Sequence, residues 1–260
     1  MSAADRGHPQ VSILGSRVDL PSHEAALAQI RGWVAAPGGV CHQVVVTGFH
    51  GLWEASRDPE LRGILNAADL WVPDGIAPVW IARVRGHEQA TRLPGAELMA
   101  AVFEEGRERG FRHYFYGDTD DTLAALRATV ERRWPGNEVV GAYSPPFRHH
   151  TPEELAQHVA RINDSGADFL WVALGLPKQD RWIHAHREAL RVPVAVGVGA
   201  AFAFVAGTVE RAPAWMGRAG LEWLYRLAQE PRKCWQRSLV EGPQFLYAVF
   251  QEQARLRRPK

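Results

Sequence analysis

The stretch ADFLWVALGLPKQDRWIHAHREALRVPVAVGVG, residues 167–199, decides the fold class. Two apolar runs, ADFLWVALG and VPVAVGVG, flank PKQDRWIHAHREAL, a segment with the composition and spacing of a helix. Strand, helix and strand in succession predict a parallel sheet with helices on both faces. The end of this stretch has a second reading, because residues 192–209 carry no charge over 18 positions, the minimum length of a spanning helix. Pro193 and the glycines at 197, 199 and 207 fit a buried strand, a tight loop and a helix start better, so the segment reads as core.

The same alternation extends outward. QVVVT (43–47) is β-rich, and HGLWEASRDPELRGILNAA (50–68) has helical spacing. DLWVPDG (69–75) is a short strand with a turn, followed by a helix through Ile76–Arg85. FRHYFYG (111–117) is a strand, and DTLAALRATVERRW (121–134) a long helix ended by Pro135-Gly136. NEVVGAY (137–143) is a strand, and TPEELAQHVARINDSG (151–166) opens with a Thr cap and a first-turn Pro. Beyond residue 210 the chain becomes helical, basic and rich in tryptophan (Trp215, Trp223, Trp235), with Leu221, Leu224 and Tyr225 on one apolar face and Phe245, Leu246, Val249 and Phe250 on another. The expected fold is a Rossmann-like α/β domain over residues 1–210 with a helical appendage over 211–260.

At 260 residues and 46% apolar, the chain can bury one large domain. A net charge of +1 gives no indication of nucleic acid as a partner. Residues 211–260 hold ten Lys/Arg against four Glu. That asymmetry points either to an anionic partner, such as diphosphate or acidic lipid, or to a solvated basic helix. Cys41 and Cys234 match no metal spacing and fit a reducing cytosol, and the N-terminus lacks the features of a signal peptide.

Ligands of open α/β sheets sit beyond the carboxyl ends of the strands. Four such ends carry glycine: Thr47-Gly48, Pro73-Asp74-Gly75, Gly117-Asp118 and the segment Gly175 to Gln179, which includes Lys178. Glycine lets backbone approach a phosphate, and the following helix offers it free N–H groups. Asp74 is either a general base, with a pKa raised by apolar surroundings, or the N-cap of the helix starting near Ile76. FYGDTDDTL (115–123) has the Asp-x-Asp form of a metal clamp in Asp118-Thr119-Asp120. Acidic residues there also suit the start of a helix at Asp121-Thr122. His149-His150 and His184-Ala-His186, with Asp180 at i, i+4 from His184, lack a third ligand and read as solvated positions. Gly197-Val-Gly199 imitates a dinucleotide fingerprint without the acidic residue that should follow it.

Taken in order, VVVTG, DPELRGILNAADLWVPDGIAPVW, RLPGAEL, FYGD, ADFLWVALGLPKQDRWI, VGVGAAFAFVAG and ERAPAWMGRAGLEWLYRLAQEPRK resemble the WecG/TagA/CpsF family of bacterial glycosyltransferases, glycosyltransferase family 26, from about Val44 to Arg237. The resemblance implies inverting, metal-independent transfer from a UDP-sugar, with no other cofactor. The implied acceptor is a saccharide on a polyprenyl diphosphate at the inner face of the plasma membrane, in exopolysaccharide or wall-polymer assembly. Asp74 then becomes the catalytic base. Donor contacts fall at Thr47, Gly48 and Gly75, at Arg92, Gly95 and Glu97 of RLPGAEL, and at Gly117, Asp118, Gly175, Lys178, Gln179 and Gly199. Arg211, Arg226 and Arg232 are diphosphate candidates alongside Lys178. Asp118-Thr119-Asp120 reads as a helix cap beside the nucleotide. The appendage is expected at the membrane surface, as a lid, or in an oligomer contact.

The chain departs from the family at Phe49, where relatives commonly carry Asn, with His50 as a substitute candidate. It also carries Ala203 for the usual Asp and Asp180 for Glu. These changes leave both an N-acetylmannosamine-type and a glucose-type donor open. The rival readings are a metal-dependent transferase using Asp118 and Asp120, a dehydrogenase, and a non-catalytic lipid-binding adaptor.

Overall fold

The computed structural model describes residues 7–219, 221–229 and 231–257. Its centre is a six-stranded, wholly parallel sheet of β3 (His42–Thr47), β4 (Leu70–Pro73), β5 (Arg112–Gly117), β6 (Glu138–Tyr143), β7 (Phe169–Ala173) and β8 (Val194–Gly197), in spatial order β4-β3-β8-β7-β5-β6. Burial on both faces explains the nearly unbroken apolar runs of these strands. Val44, Val46, Phe115, Trp171 and Val196 face one core, and the alternate residues Val45, Tyr114, Tyr116, Leu170 and Ala195 face the other side. The first core is closed by α1 (His23–Ala35), α5 (Gly95–Arg109), α6 (Asp120–Arg133) and α9 (Ala201–Ala206). The opposite face is covered by α2 (Phe49–Arg57), α3 (Pro59–Ala67), α4 (Ile76–Val84), α7 (Pro152–Asp164) and α8 (Lys178–His186).

Three local outcomes refine the sequence reading. The run from 50 to 68 is two helices, because Pro59 cannot continue the first and Asp58 caps the second through Leu61 N–H. The helix after β5 starts at Asp120, and its cap is Thr119, whose hydroxyl accepts from Thr122 N–H. Asp118 is therefore not that helix's cap. It sits in the left-handed region at φ 59° and accepts from Thr119 N–H instead. The uncharged span 192–209 resolves into β8, a tight loop and α9.

Before β3 lies a hairpin that the alternation did not announce, β1 (Gln10–Ile13) and β2 (Ser16–Asp19). Its turn is Leu14-Gly15, both at positive φ, the form that matches strand twist. Fully buried Asp19 ties the hairpin to the sheet by accepting from Trp71 N–H at 2.8 Å.

The C-terminal region comprises α10 (Ala214–Ala219), α11 (Glu222–Gln229), α12 (Pro231–Trp235), a π-helical turn (Gln236–Glu241) and α13 (Gly242–Leu256). Phe245 of α13 is 1% exposed and packs on Phe49. Further along, Glu252 accepts from Leu14 N–H at 3.0 Å and pairs with Arg85 at 2.6 Å. Leu246 and Phe250 of the same apolar stripe remain exposed. Among the described residues, no helix is long and apolar enough to cross a membrane.

Gly117 ends β5 at φ 109°, and a Cβ there would lie 2.5 Å from the Ala173 carbonyl oxygen of neighbouring β7. Both the torsion and the contact exclude a side chain. Gly117→Ala should therefore cost on the order of 2 kcal/mol or more in urea unfolding. A loss under 0.5 kcal/mol would refute this close approach.

Candidate active site

The parallel sheet puts its carboxyl ends on one edge: Asp74 after β4, Thr47-Gly48 after β3, Gly199 after β8, Gly175 after β7 and Gly117-Asp118 after β5. At the usual strand spacing, this edge runs about 19 Å from β4 to β5. The sequence-derived residues divide along it. Thr47, Gly48, Asp74, Gly75, Arg92, Gly95 and Glu97 gather around the β3–β4 end, while Gly117, Asp118 and Gly175 follow β5 and β7. Gln179, 3% exposed, turns its side chain toward Gly197 and Gly199 between them. Lys178 stands apart, with Nζ 4.6 Å over the ring of exposed Phe147.

At the β3–β4 end the strands terminate so closely that a Cβ on Gly48 would lie 3.4 Å from Gly75 N. The Asp74 N–H continues the ladder to Thr47 O at 3.1 Å. Neither Asp74 oxygen caps α4, whose N-cap is Gly75. Instead Oδ1 accepts from Gly95 N–H, the first residue of α5, at 3.1 Å. Burial raises the Asp74 pKa above the ordinary carboxylate value. The Gly95 bond opposes that rise, Glu222 adds to it, and Arg237 and Arg211 counter it. A carboxylate with a raised pKa is a stronger proton acceptor.

The C-terminal helices roof Asp74 and enclose a cavity of about 480 Å³. Its charged lining comes from Asp74, Arg92, Glu222, Arg226 and Arg237, and most of the remaining wall is apolar. Arg237, on the π-helical turn, holds its guanidinium 5.4 Å over the Phe49 ring. Burial and the like charge of Arg226 pull its pKa below the ordinary value, while Asp74 supports its charge. Three cations against two carboxylates leave the cavity suited to an anionic group such as a diphosphate.

Of the proposed diphosphate cations, only Arg226 lines this cavity. Arg211 pairs with Glu97 at 2.8 Å, and Arg232 is exposed on α12. Arg92 bonds Glu222 at 3.0 Å and lies 3.8 Å from Glu97, so residues expected at the donor also fasten α11 to the sheet edge. Arg237, Glu222 and Trp80 were missed by sequence reasoning. Arg237 closes the resembling stretch, but a π-turn that aims it at Asp74 has no signature in sequence.

His50 does not open onto the cavity; its Nδ1 lies 3.0 Å from Glu241. His50, Glu54 and Glu241 place ligand atoms within 4.8 Å of one another, the metal-competent grouping found among the described residues. The Arg237 charge acting on His50 opposes a cation there. Asp118 and Asp120 form no such grouping with a third ligand among the described residues.

Asp180 departs from the solvated reading: it is 1% exposed beneath Gly197, and neither oxygen has a side-chain partner among the described residues. Burial pushes its pKa up to about 7. His186 is likewise engaged, stacked on Trp182.

The profile of the glycosyl transferase WecG/TagA/CpsF family matches residues 11–259. The chain is 33% identical over 207 residues to an N-acetylglucosaminyldiphosphoundecaprenol N-acetyl-beta-D-mannosaminyltransferase of Bacillus spizizenii, covering 80% of this chain and 78% of that protein. It is 29% identical over 199 residues to the Bacillus subtilis strain 168 protein of the same description, covering 76% and 75%.

The buried Asp180 gives a pH signature. Its folded pKa, about 7, exceeds the unfolded value of roughly 3.9, so the folded state binds the extra proton and stability falls as pH rises between them. The loss is on the order of 4 kcal/mol by pH 8. Asp180→Asn should raise the melting temperature at pH 8 and much less at pH 4. Equal shifts at both pH values would count against a neutral, buried Asp180.

Proposed function

This chain belongs to the WecG/TagA/CpsF family of glycosyl transferases, and we propose that it moves a hexose from a UDP-sugar to a polyprenyl-diphosphate-linked saccharide, with inversion and without a metal. The observation that carries the reading is the half-buried carboxylate of Asp74, its pKa raised, lining a cavity whose cations include Arg237. The relatives' named acceptor is a lipid diphosphate sugar, in keeping with those cations and the apolar walls.

In the proposed reaction an acceptor hydroxyl gives its proton to Asp74 as its oxygen bonds the anomeric carbon. The bond from that carbon to the UDP oxygen breaks on the opposite face, and UDP leaves with the electron pair. The strand-end glycines and the helix N-termini beside them are the proposed cradle for the UDP moiety. Arginines replace the metal in balancing phosphate charge. Phe49 gives the β3 end an aromatic wall in place of an amide, and this bears on which donor sugar is accepted. Wall-polymer or exopolysaccharide assembly at the inner face of the plasma membrane is the proposed setting. The exposed Trp215, Trp223 and Trp235 and the basic C-terminal residues supply the membrane contact.

The test is UDP release from a panel of UDP-sugars, with a polyprenyl-diphosphate sugar as acceptor and EDTA present. Acceptor-dependent release is expected, falling at least ~100-fold in Asp74→Asn and about 10- to 100-fold in kcat/KM in Arg237→Ala. Release that requires added magnesium or manganese would instead favour a metal-dependent transfer and overturn the metal-free mechanism. The acid limb of kcat/KM should titrate above the ordinary aspartate value, because Asp74 must be ionised to act and burial raises its pKa. An acid limb at or below the ordinary value would remove Asp74 as the base.

A further inference from the structure

The cavity over Asp74 has two unlike kinds of lining. The charged part is Asp74, Arg92, Glu222, Arg226 and Arg237. The apolar part includes Ile76, Trp80, Leu239, Phe245 and Leu246, with Phe49 lying beneath the Arg237 guanidinium. A sugar or a nucleotide packed against this apolar part would leave its own polar groups without hydrogen-bonding partners, which is unfavourable.

The apolar part continues outward along two helices. α4 and α13 both begin at the cavity, through Ile76 and Ala77 on one and Gly242 and Pro243 on the other. Their far ends are joined by Arg85, which bonds Glu252 at 2.6 Å and Gln253 at 3.1 Å. The two helices therefore run side by side away from the site. Each carries an exposed apolar pair at i, i+4 spacing that starts from a cavity-lining residue: Trp80 and Val84 on α4, Leu246 and Phe250 on α13. These four are 50%, 65%, 59% and 70% exposed, so the apolar lining is continued by exposed apolar side chains on both helices, short of the Arg85–Glu252 pair.

Resting on the acceptor reading above, we propose that this seam is a binding site for the isoprenoid chain of the acceptor. The diphosphate lies at the arginines, the first prenyl units fill the apolar half of the cavity, and the rest leaves between α4 and α13 past Trp80 and Leu246. The enzyme then recognises the lipid itself, and does not merely meet it at a bilayer. A charged lining at the cavity and apolar side chains leading away from it match a prenyl diphosphate in chemistry.

The experiment uses one sugar diphosphate carried on methyl, geranyl and farnesyl groups, assayed with the full chain below micelle-forming concentrations and without vesicles. Wild type should show kcat/KM rising on the order of ten-fold or more from methyl to farnesyl, as expected for burial of several carbons. The rise should be strongly reduced in the double variant Trp80→Ser, Leu246→Ser, with circular dichroism confirming its fold. Equal turnover of methyl and farnesyl acceptors would overturn the chain site while leaving the acceptor reading intact. A length dependence seen only when vesicles are added would place the chain in the bilayer and overturn it as well. Failure with every acceptor, despite UDP-sugar binding, would sink the acceptor reading and this inference together.

Discussion

A carboxylate partly withdrawn from water must be compensated, and the arrangement around Asp74 follows from that requirement. The strand end and the Gly95 N–H fix the carboxyl, but one hydrogen bond does not offset its burial, so its pKa stays raised. The remaining compensation comes from far along the chain, from Arg211 and from Arg237 on the π-helical turn. The sheet alone would leave Asp74 open to solvent. The C-terminal helices half-cover it and bring the cations that balance it.

Those helices are held by the same chemistry. Arg92, Glu97, Arg211 and Glu222 link the start of α5 to α11, while Phe245 seats α13 among residues of α2. Partly exposed ion pairs of this kind contribute modestly one by one. Here they fix position more than they supply stability, because the apolar contact of Phe245 and Phe49 bears the packing.

The sheet was legible because its strands are buried on both faces, so runs such as FLWVA and QVVVT stand out against amphipathic helices. The hairpin at Gln10–Asp19 was not, since its strands are four residues long and its turn uses Leu14 at positive φ where Asn or Asp would signal it. Asp74 was recognisable as a candidate from its place between Pro73 and Gly75, yet its two roles could not be separated until Gly95 appeared as its partner. Arg211 and Arg232 stand out by charge alone, and charge does not say that Glu97 already engages Arg211 or that Arg232 faces solvent. Asp180 looked solvated because its helix is polar on average. The side chain instead points inward at a position where Gly197 leaves room.

The bond between Glu252 and the Leu14 backbone joins residues 238 positions apart. During synthesis the hairpin emerges long before its partner on α13. The roof over Asp74 thus cannot be fastened until α13 has left the ribosome, and a nascent chain short of α13 would hold its sheet with Asp74 uncovered. Emergence of that one helix becomes the step that closes the cavity.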